Sequence, residues 1–349
     1  MSNDTRARLR DLGIAIGHYA PGALNAITDV AGVSVGHVTC VEGDRTRTGA
    51  TAILPHSGNL FQEKVPAALA VFNGFGKFAG STQIAELGEI ETPILLTNTL
   101  GVGRAIEAIN RHTLAQAGNE RVVSLNAVVG ETNDSRLNDI RAARPTVDEM
   151  AAALAAAKTG PVEEGAVGAG TGTVAFGLKG GIGTSSRVVK AGGADYTIGV
   201  LVQSNYGGKL MVAGKPYDAE GAHDKDGSIV MIVATDAPLC SRNLKRLAER
   251  CFGGLARTGA ALSNGSGDYA LAFSTAEEVR RTPERRKAVA HYPVLSNDVV
   301  SPLFEAVIEA TEEAIINSMT MAKTIHGYNA GTDKASTIEA ISLDALKRR

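Results

Sequence analysis

Apolar residues occur along the chain in two patterns, one typical of β-strands and the other of α-helices. Short continuous or alternating apolar runs bounded by Gly, Pro, Asn or Asp predict strands at residues 33–41, 51–54, 67–73, 93–98, 122–129, 171–176, 196–203 and 269–273. Another strand-like run, Ile229 to Ala234, follows the tripeptide Asp226-Gly227-Ser228. Apolar residues at helical spacing predict helices near residues 103–117 and 241–255.

Two further helices carry stronger signals. Thr146 and Glu149 form a capping box after Pro145, which predicts a helix start at this point. The segment from Ser301 to about Met321 predicts a long amphipathic helix. One face carries Phe304, Val307, Ile308, Ile315 and Met319, and the other largely carries Glu305, Glu309, Glu312 and Glu313.

The order of the predicted elements indicates the fold class. Strands and helices occur in groups and not in strict alternation, which favours a layered α+β sandwich. A doubly wound parallel sheet is the alternative. No low-complexity linker marks a domain boundary, and 349 residues are enough for one large domain or two modest ones.

Composition narrows the classes of partner. The net charge is −2 and no basic tract is present, which argues against nucleic acid or an anionic membrane and favours a small uncharged or zwitterionic ligand. The cysteines Cys40, Cys240 and Cys251 show no C-x-x-C pairing and are expected to be buried thiols of a reducing compartment. The polar N-terminus and the lack of a long apolar stretch predict a cytoplasmic protein.

The usual cofactor motifs fail when their spacing is counted. In the glycine-rich segment 165–173, a dinucleotide fingerprint counted from Gly168 needs glycine where Thr173 stands. A phosphate-binding loop counted from Gly172 needs lysine where Leu178 stands. The seven histidines form no H-E-x-x-H cluster, and no G-x-S-x-G elbow is present. We therefore expect no metal, no nucleotide cofactor and no conventional Ser-His-Asp triad.

The tripeptide Asp226-Gly227-Ser228 has two interpretations. It is an ordinary turn that leads into a buried strand, or it is a place where the backbone is cut. A cut before Ser228 would leave a serine that has both a hydroxyl and a free α-amine, so that the nucleophile carries its own base. These residues alone favour the ordinary turn.

Several segments together resemble the DmpA-type aminopeptidases, a family that includes L-aminopeptidase/D-amidase/esterases and β-peptidyl aminopeptidases. The resemblance runs in the same order from about residue 8 to residue 330. The segments that carry it are LNAITDV (24–30), GVSVGH (32–37), TPILLTNT (92–99), KGGIGTSSR (179–187), NYG (205–207), DGSI (226–229) and EATEEA (309–314).

The resemblance implies a fold, a maturation step and an activity. The fold would be a four-layer αββα sandwich of the N-terminal-nucleophile hydrolase type, similar to ornithine acetyltransferase, with residues 1–349 as a single catalytic domain. The precursor would be cut between Gly227 and Ser228 into an α polypeptide, 1–227, and a β polypeptide, 228–349. The substrates would be short peptides, amino-acid amides or esters, without a cofactor, and several αβ units would assemble into a homo-oligomer.

The resemblance also assigns roles in catalysis. Ser228 would be the nucleophile, and its freed α-amine would serve as the general base. The Asn205 amide would stabilise the oxyanion, although an asparagine before Gly207 is otherwise an ordinary turn residue. Ser266 and Asp268 would hydrogen-bond Ser228 or its amine; some relatives carry glutamate at the second of these positions.

Three more residues are weaker candidates. Glu131 would hold the substrate ammonium, the alternative being a solvated turn glutamate. Lys179 would stabilise the charge of Asp268 or simply reach solvent, and Arg187 would be structural. Two other functions stay open: a hydrolase of small linear amide oligomers similar to nylon hydrolases, whose nucleophile is threonine, and an uncut relative that only binds small amino compounds.

Overall fold

The structure is a computed structural model that describes residues 5–217 and 227–348. Asp226 of the predicted turn lies outside these residues, as do residues 1–4 of the polar N-terminal stretch. Within the described ranges, no helix has both the length and the apolar character needed to cross a membrane.

The strands vary from two to twelve residues in length. In chain order they are β1 Ser34–Glu42, β2 Thr46–Leu54, β3 Val65–Gly74, β4 Phe78–Ala79, β5 Glu89–Ile90, β6 Ile94–Asn98, β7 Val128–Thr132, β8 Val174–Ala175, β9 Leu178–Lys179, β10 Gly181–Ala191, β11 Ala194–Asn205, β12 Met211–Val212, β13 Lys215–Pro216, β14 Ser228–Thr235, β15 Gly267–Ser274, β16 Ile325–Asn329 and β17 Lys334–Ile338. The α-helices are α1 Ser81–Leu87, α2 Val102–Leu114, α3 Val147–Ala155, α4 Ser241–Arg257, α5 Ser301–Thr320 and α6 Leu343–Lys347.

Two sheets pack face to face between layers of helices. One sheet has the strand order β1-β2-β6-β7-β4 and the other β10-β11-β14-β15-β3-β5. Their inner faces share a core that includes Ile53, Leu96, Val128, Leu201, Val230 and Leu271. Helices α2 and α3 cover the first sheet, and α4 and α5 cover the second. This arrangement confirms the predicted αββα sandwich.

Strand β14 is the central strand of the second sheet. It lies antiparallel to β11 and parallel to β15, and all eight of its residues are buried. A strand that is covered on both faces needs apolar residues at successive positions. This explains why apolar and polar residues do not alternate at 229–234. The predicted strand after Ser228 is therefore confirmed, at the centre of the fold.

Some predicted elements differ from the observed ones. The strand predicted at 122–129 covers only Val128–Thr132, and that at 171–176 is reduced to Val174–Ala175, where Phe176 turns the chain with a φ of 54°. Strand β10 was not predicted, because its Gly, Ser and Thr residues hide the apolar alternation. Cys40 and Cys251 are buried as expected, but Cys240 is only partly buried.

Helix α5 corrects the prediction of a simple amphipathic helix. Glu309, Glu312 and Glu313 are all buried, since the helix packs on the second sheet on one side and on α4 on the other. Charged side chains tolerate such burial when they are paired. The predicted capping box of α3, in contrast, is confirmed: Glu149 N donates to Thr146 Oγ1, and Thr146 N to the Glu149 carboxylate.

A buried ion-pair network joins β10 to α5. Arg187 is fully buried, and its guanidinium lies 3.2 Å from Glu309 Oε2 and 2.8 Å from Glu313 Oε2. Burial acts to raise the pKa of Glu313, but Arg187, Arg10 and the Asn25 amide outweigh it and hold the pKa below its usual value. The structural role expected for Arg187 is this connection between the sheet and the helix.

We expect Arg187→Met to lower the free energy of unfolding by about 3 kcal/mol or more, because it leaves two buried carboxylates without their shared cation. Urea unfolding followed by circular dichroism measures the change. Arg45→Met is the matched control, since Arg45 pairs with Asp139 at the surface and such pairs contribute little. Equal effects of the two substitutions would contradict the role given to the network.

Candidate active site

Three strand ends bring the predicted nucleophile together with residues distant in the sequence. Ser228 is the first residue of β14 and lies opposite Asn205 of β11 on one side and Gly267 of β15 on the other. The backbone N–H of Gly267 donates to Ser228 Oγ over 3.1 Å. The register of the sheet thus fixes the neighbours of the hydroxyl group.

Gly227 is in close contact with the backbone of β11. A Cβ atom at this position would lie 2.2 Å from the carbonyl oxygen of Asn205 and 2.5 Å from Tyr206 Cα. Its φ of 156° also lies in a range that side chains disfavour. A side chain at position 227 would therefore displace β11 or β14, and only glycine fits before Ser228.

The Asn205 side chain is oriented by one hydrogen bond. Its Oδ1 accepts from the backbone N–H of Val174 over 2.9 Å, and its Nδ2 has no partner among the described residues. Asn205 is buried but lines a cavity that Ser228 also lines. Since the carbonyl end of the amide is held by a donor, the N–H₂ end is the one left to donate to a ligand.

Ser266 and Asp268 flank the glycine that contacts Ser228. Ser266 Oγ donates to Asp268 Oδ1 over 2.6 Å, and Asn73 Nδ2 donates to Asp268 Oδ2 over 2.8 Å. Burial raises the pKa of Asp268, while these two hydrogen bonds act to lower it. Within the described part of the chain, the hydrogen bond to Ser228 Oγ comes from Gly267 N, not from either predicted side chain.

Glu131 is a buried carboxylate near the end of β7. Only 3% of the residue is exposed. Its Oε1 accepts from the backbone N–H of Lys77 over 2.9 Å and lies 3.6 Å from Lys77 Nζ. The alternative of a solvated turn glutamate is therefore wrong.

These residues line or adjoin one cavity of about 350 Å³. It is lined by Phe75, Lys77, Thr99, Glu131, Asn133, Ser135, Arg136, Asn205, Gly227, Ser228 and Gly265. Of the predicted site residues, Ser228, Asn205, Glu131 and Gly227 are at the cavity, and Ser266 and Asp268 lie beside it. Sequence reasoning missed Asn73, Phe75, Lys77 and Arg136. One signal was available: the glycine-containing segment Gly74-Phe75-Gly76-Lys77 directly follows the strand that is predicted to end at Asn73.

Neither alternative predicted for Lys179 describes its position. The residue is fully buried, and its Nζ donates to the carbonyl oxygens of Gly170, Thr173 and Gly180, each over 2.8 Å. Burial lowers the pKa of Lys179 to about 7, while the Asp134 carboxylate acts to raise it. Three donated bonds need the ammonium form, because a neutral amine has two hydrogens. Lys179 thus holds the segment that presents Val174 to Asn205.

Comparison with known proteins gives consistent matches. A model described as peptidase family S58 matches residues 25–332. The chain is 41% identical to the β-peptidyl aminopeptidase BapA of Sphingosinicella xenopeptidilytica, with 92% of this chain and 87% of that protein covered.

Solved structures are similar over almost the whole chain. A β-aminopeptidase from Burkholderia sp. matches with a TM-score of 0.89 and 40% identity, covering 98% of this chain and 99% of that one. The l-aminopeptidase d-ala-esterase/amidase of Ochrobactrum anthropi matches with a TM-score of 0.89 and 36% identity, covering 97% and 96%. The latter is described as a prototype for the serine aminopeptidases and a new variant among the Ntn hydrolase fold.

We expect Lys179→Met to lower the free energy of unfolding by about 2–3 kcal/mol, because three buried carbonyl groups lose their donor. Urea unfolding measures the change. Lys158→Met is the control, since Lys158 is exposed and its substitution should leave the unfolding midpoint nearly unchanged. A Lys179→Met protein as stable as the wild type would show that the three hydrogen bonds contribute nothing net.

Proposed function

Because the chain belongs to peptidase family S58, we propose that it is a peptide hydrolase which activates itself by cutting between Gly227 and Ser228. The mature enzyme then removes N-terminal residues from short peptides, amino-acid amides or esters. Residues 1–349 form one catalytic domain, which becomes the polypeptides 1–227 and 228–349. One observation carries the proposal: Ser228 begins β14 directly opposite Asn205, whose amide N–H₂ group has no partner among the described residues.

The self-cutting step is an N-to-O acyl shift. Ser228 Oγ attacks the carbonyl carbon of Gly227; a C–O bond forms, the C–N bond breaks, and the serine nitrogen becomes a free amine. Water then hydrolyses the ester and leaves the Gly227 carboxylate. The absence of a side chain at Gly227 supports this step, because the residue before the nucleophile must lie against the β11 backbone.

The freed amine then serves substrate hydrolysis. An α-amino group has a reference pKa of roughly 7.7–8.0, so near neutral pH a useful fraction is unprotonated and can accept the Ser228 proton. Ser228 Oγ attacks the substrate carbonyl, the amine product leaves with a proton, and water releases the acyl group. Serine and base belong to one residue, so their distance is fixed by covalent geometry.

The surrounding residues take the remaining roles. Asn205 Nδ2 donates to the oxyanion, since Val174 N holds the other end of that amide. Ser266 and Asp268, next to Gly267, hydrogen-bond the new amine of Ser228. Glu131 binds the substrate ammonium, which is supported by a carboxylate that is buried yet lines the cavity.

The names of the relatives support one substrate class. Proteins about 40% identical to this chain are named β-peptidyl aminopeptidase and β-aminopeptidase, which supports N-terminal β-amino acyl residues as substrates.

The mature protein acts in the cytoplasm as a homo-oligomer of αβ units.

We expect the purified wild-type protein to give two bands on a denaturing gel and Ser228→Ala to give one, because alanine has no hydroxyl for the acyl shift. The bands should be about 23 and 13 kDa, as 227 and 122 residues share 36.1 kDa. Edman degradation of the smaller band should begin Ser-Ile-Val-Met. A wild-type chain that stays whole and hydrolyses no aminoacyl amide would overturn the proposal.

We expect Asn205→Asp to lower kcat by about 10²–10³-fold, because a carboxylate oxygen replaces the donor to the oxyanion. The two bands should also form more slowly, since the acyl shift develops the same charge. Hydrolysis of β-alanyl p-nitroanilide and a time course on gels provide the measurements. Asn133→Asp, which changes another asparagine of the cavity in the same way, should have a much smaller effect. Similar losses in both variants would indicate a general effect of negative charge.

A further inference from the structure

The wall of the catalytic cavity carries two opposite charges side by side. Lys77 Nζ lies 3.6 Å from Glu131 Oε1 and donates to Thr99 Oγ1 over 2.6 Å. The Glu131 side chain is 4% exposed, whereas that of Lys77 is 55% exposed. All three residues line the cavity together with Ser228. The anion is therefore fixed in the wall, and the cation lies at its open edge.

The two charges differ in how firmly they are held. Glu131 Oε1 accepts from the backbone N–H of Lys77, a bond that no substitution of the lysine side chain removes. The Lys77 ammonium, at the end of a flexible chain, contacts one hydroxyl and one carboxylate. It has room for a further anionic partner, since three hydrogens surround this nitrogen.

This pair restricts which ligand suits the cavity. A ligand with only an ammonium group finds a second cation beside its carboxylate anchor, and the two cations repel each other. A ligand with an ammonium and a carboxylate on the same carbon satisfies Glu131 and Lys77 together. The short separation of the two protein charges requires the two ligand charges to be equally close. The matching chemical group is the head of an α-amino acid.

We infer that the enzyme hydrolyses β-aspartyl peptides, in which the amide to be cut is on the side-chain carbonyl of an N-terminal aspartate. This inference rests on the proposed function. A β-aspartyl residue has the same two carbons between nitrogen and carbonyl as a β-alanyl residue. It differs by a carboxylate on the carbon that bears the nitrogen, so its two charges lie side by side, as those of Lys77 and Glu131 do.

The reaction uses the proposed machinery without a co-reactant other than water. Ser228 Oγ attacks the β-carbonyl, the C–N bond to the next residue breaks, and that residue leaves as an amine with a proton. Water then cleaves the β-aspartyl ester on Ser228 and releases aspartate. Glu131 and Lys77 hold the ammonium and the α-carboxylate throughout, and neither is consumed.

Two substrates that differ by one group test the inference. We expect kcat/KM of the mature wild-type enzyme for L-aspartic acid β-(p-nitroanilide) to exceed that for β-alanyl p-nitroanilide by about tenfold or more, because the added carboxylate gains a charge-assisted hydrogen bond. The difference should lie mainly in KM, since the carboxylate is remote from the reacting carbonyl.

Substitutions of Lys77 connect the preference to this side chain. Lys77→Met should reduce the β-aspartyl to β-alanyl ratio of kcat/KM by about tenfold or more, with activity on β-alanyl p-nitroanilide rising as the repelling charge is lost. Lys77→Arg keeps a cation and should retain most of the preference. Lys190→Met changes an exposed lysine of β10 and should leave the ratio unchanged.

The outcomes separate this inference from the proposed function. If β-alanyl p-nitroanilide is cleaved but the β-aspartyl substrate is not preferred, the inference is overturned and the proposed function stands. A preference that Lys77→Met leaves in place also overturns the role of Lys77. If the chain remains whole and cleaves neither substrate, both fail.

Discussion

The hydrogen-bonded register of β14 between β11 and β15 is the constraint on which the site depends. It places Ser228 between Asn205 and Gly267, three residues that are far apart in the chain. A shift of one residue would turn every side chain of β14 to the opposite face. Because both faces of β14 are packed in apolar cores, such a shift is costly. The same packing that stabilises the fold therefore positions the proposed nucleophile.

This arrangement also explains how the chain can be cut without falling apart. The proposed cut lies at the start of β14, so the new terminus remains in the sheet between one strand of each polypeptide. Behind the sheet, Arg187 of β10 pairs with Glu309 and Glu313 of α5 across the same two polypeptides. The proposed cut would remove one covalent bond and leave the core and these ion pairs in place. The proposed activation would therefore change the chemistry at Ser228 and little of the packing.

The sequence predicted the parts that local patterns determine. The β14 run and the capping box at Thr146 are such parts. A buried strand requires consecutive apolar residues, and a capping box requires two polar residues at a fixed spacing, so both are visible in a short stretch of sequence. The resemblance to known aminopeptidases supplied Asn205, Ser266 and Asp268, which local patterns did not distinguish from turn residues. The burial of Glu313 could not be predicted, since its partner Arg187 is more than a hundred residues away.

Positions fixed by long-range contacts were missed for the same reason. The position of Lys179 was missed although its partners are local, because the three carbonyl groups that its Nζ contacts lie within nine residues and converge only when the chain turns back on itself. Asn73 lies near the end of β3 and Lys77 in the loop that follows it, and each side chain or backbone group finds its partner on another strand, β15 for Asn73 and β7 for Lys77. Which groups a side chain contacts depends on the tertiary structure, and the residues next to it in the sequence do not indicate those groups.

The size and polarity of the cavity together limit which substrates the enzyme can bind. At about 350 Å³ it is at the small end of ligand-binding cavities, with room for one residue and the amide that follows. Among the described residues that line it, Glu131 is the one carboxylate, beside the cations Lys77 and Arg136, so a substrate ammonium has a single anionic partner there. The position of this carboxylate therefore supports the removal of N-terminal residues independently of the chemistry proposed for Ser228.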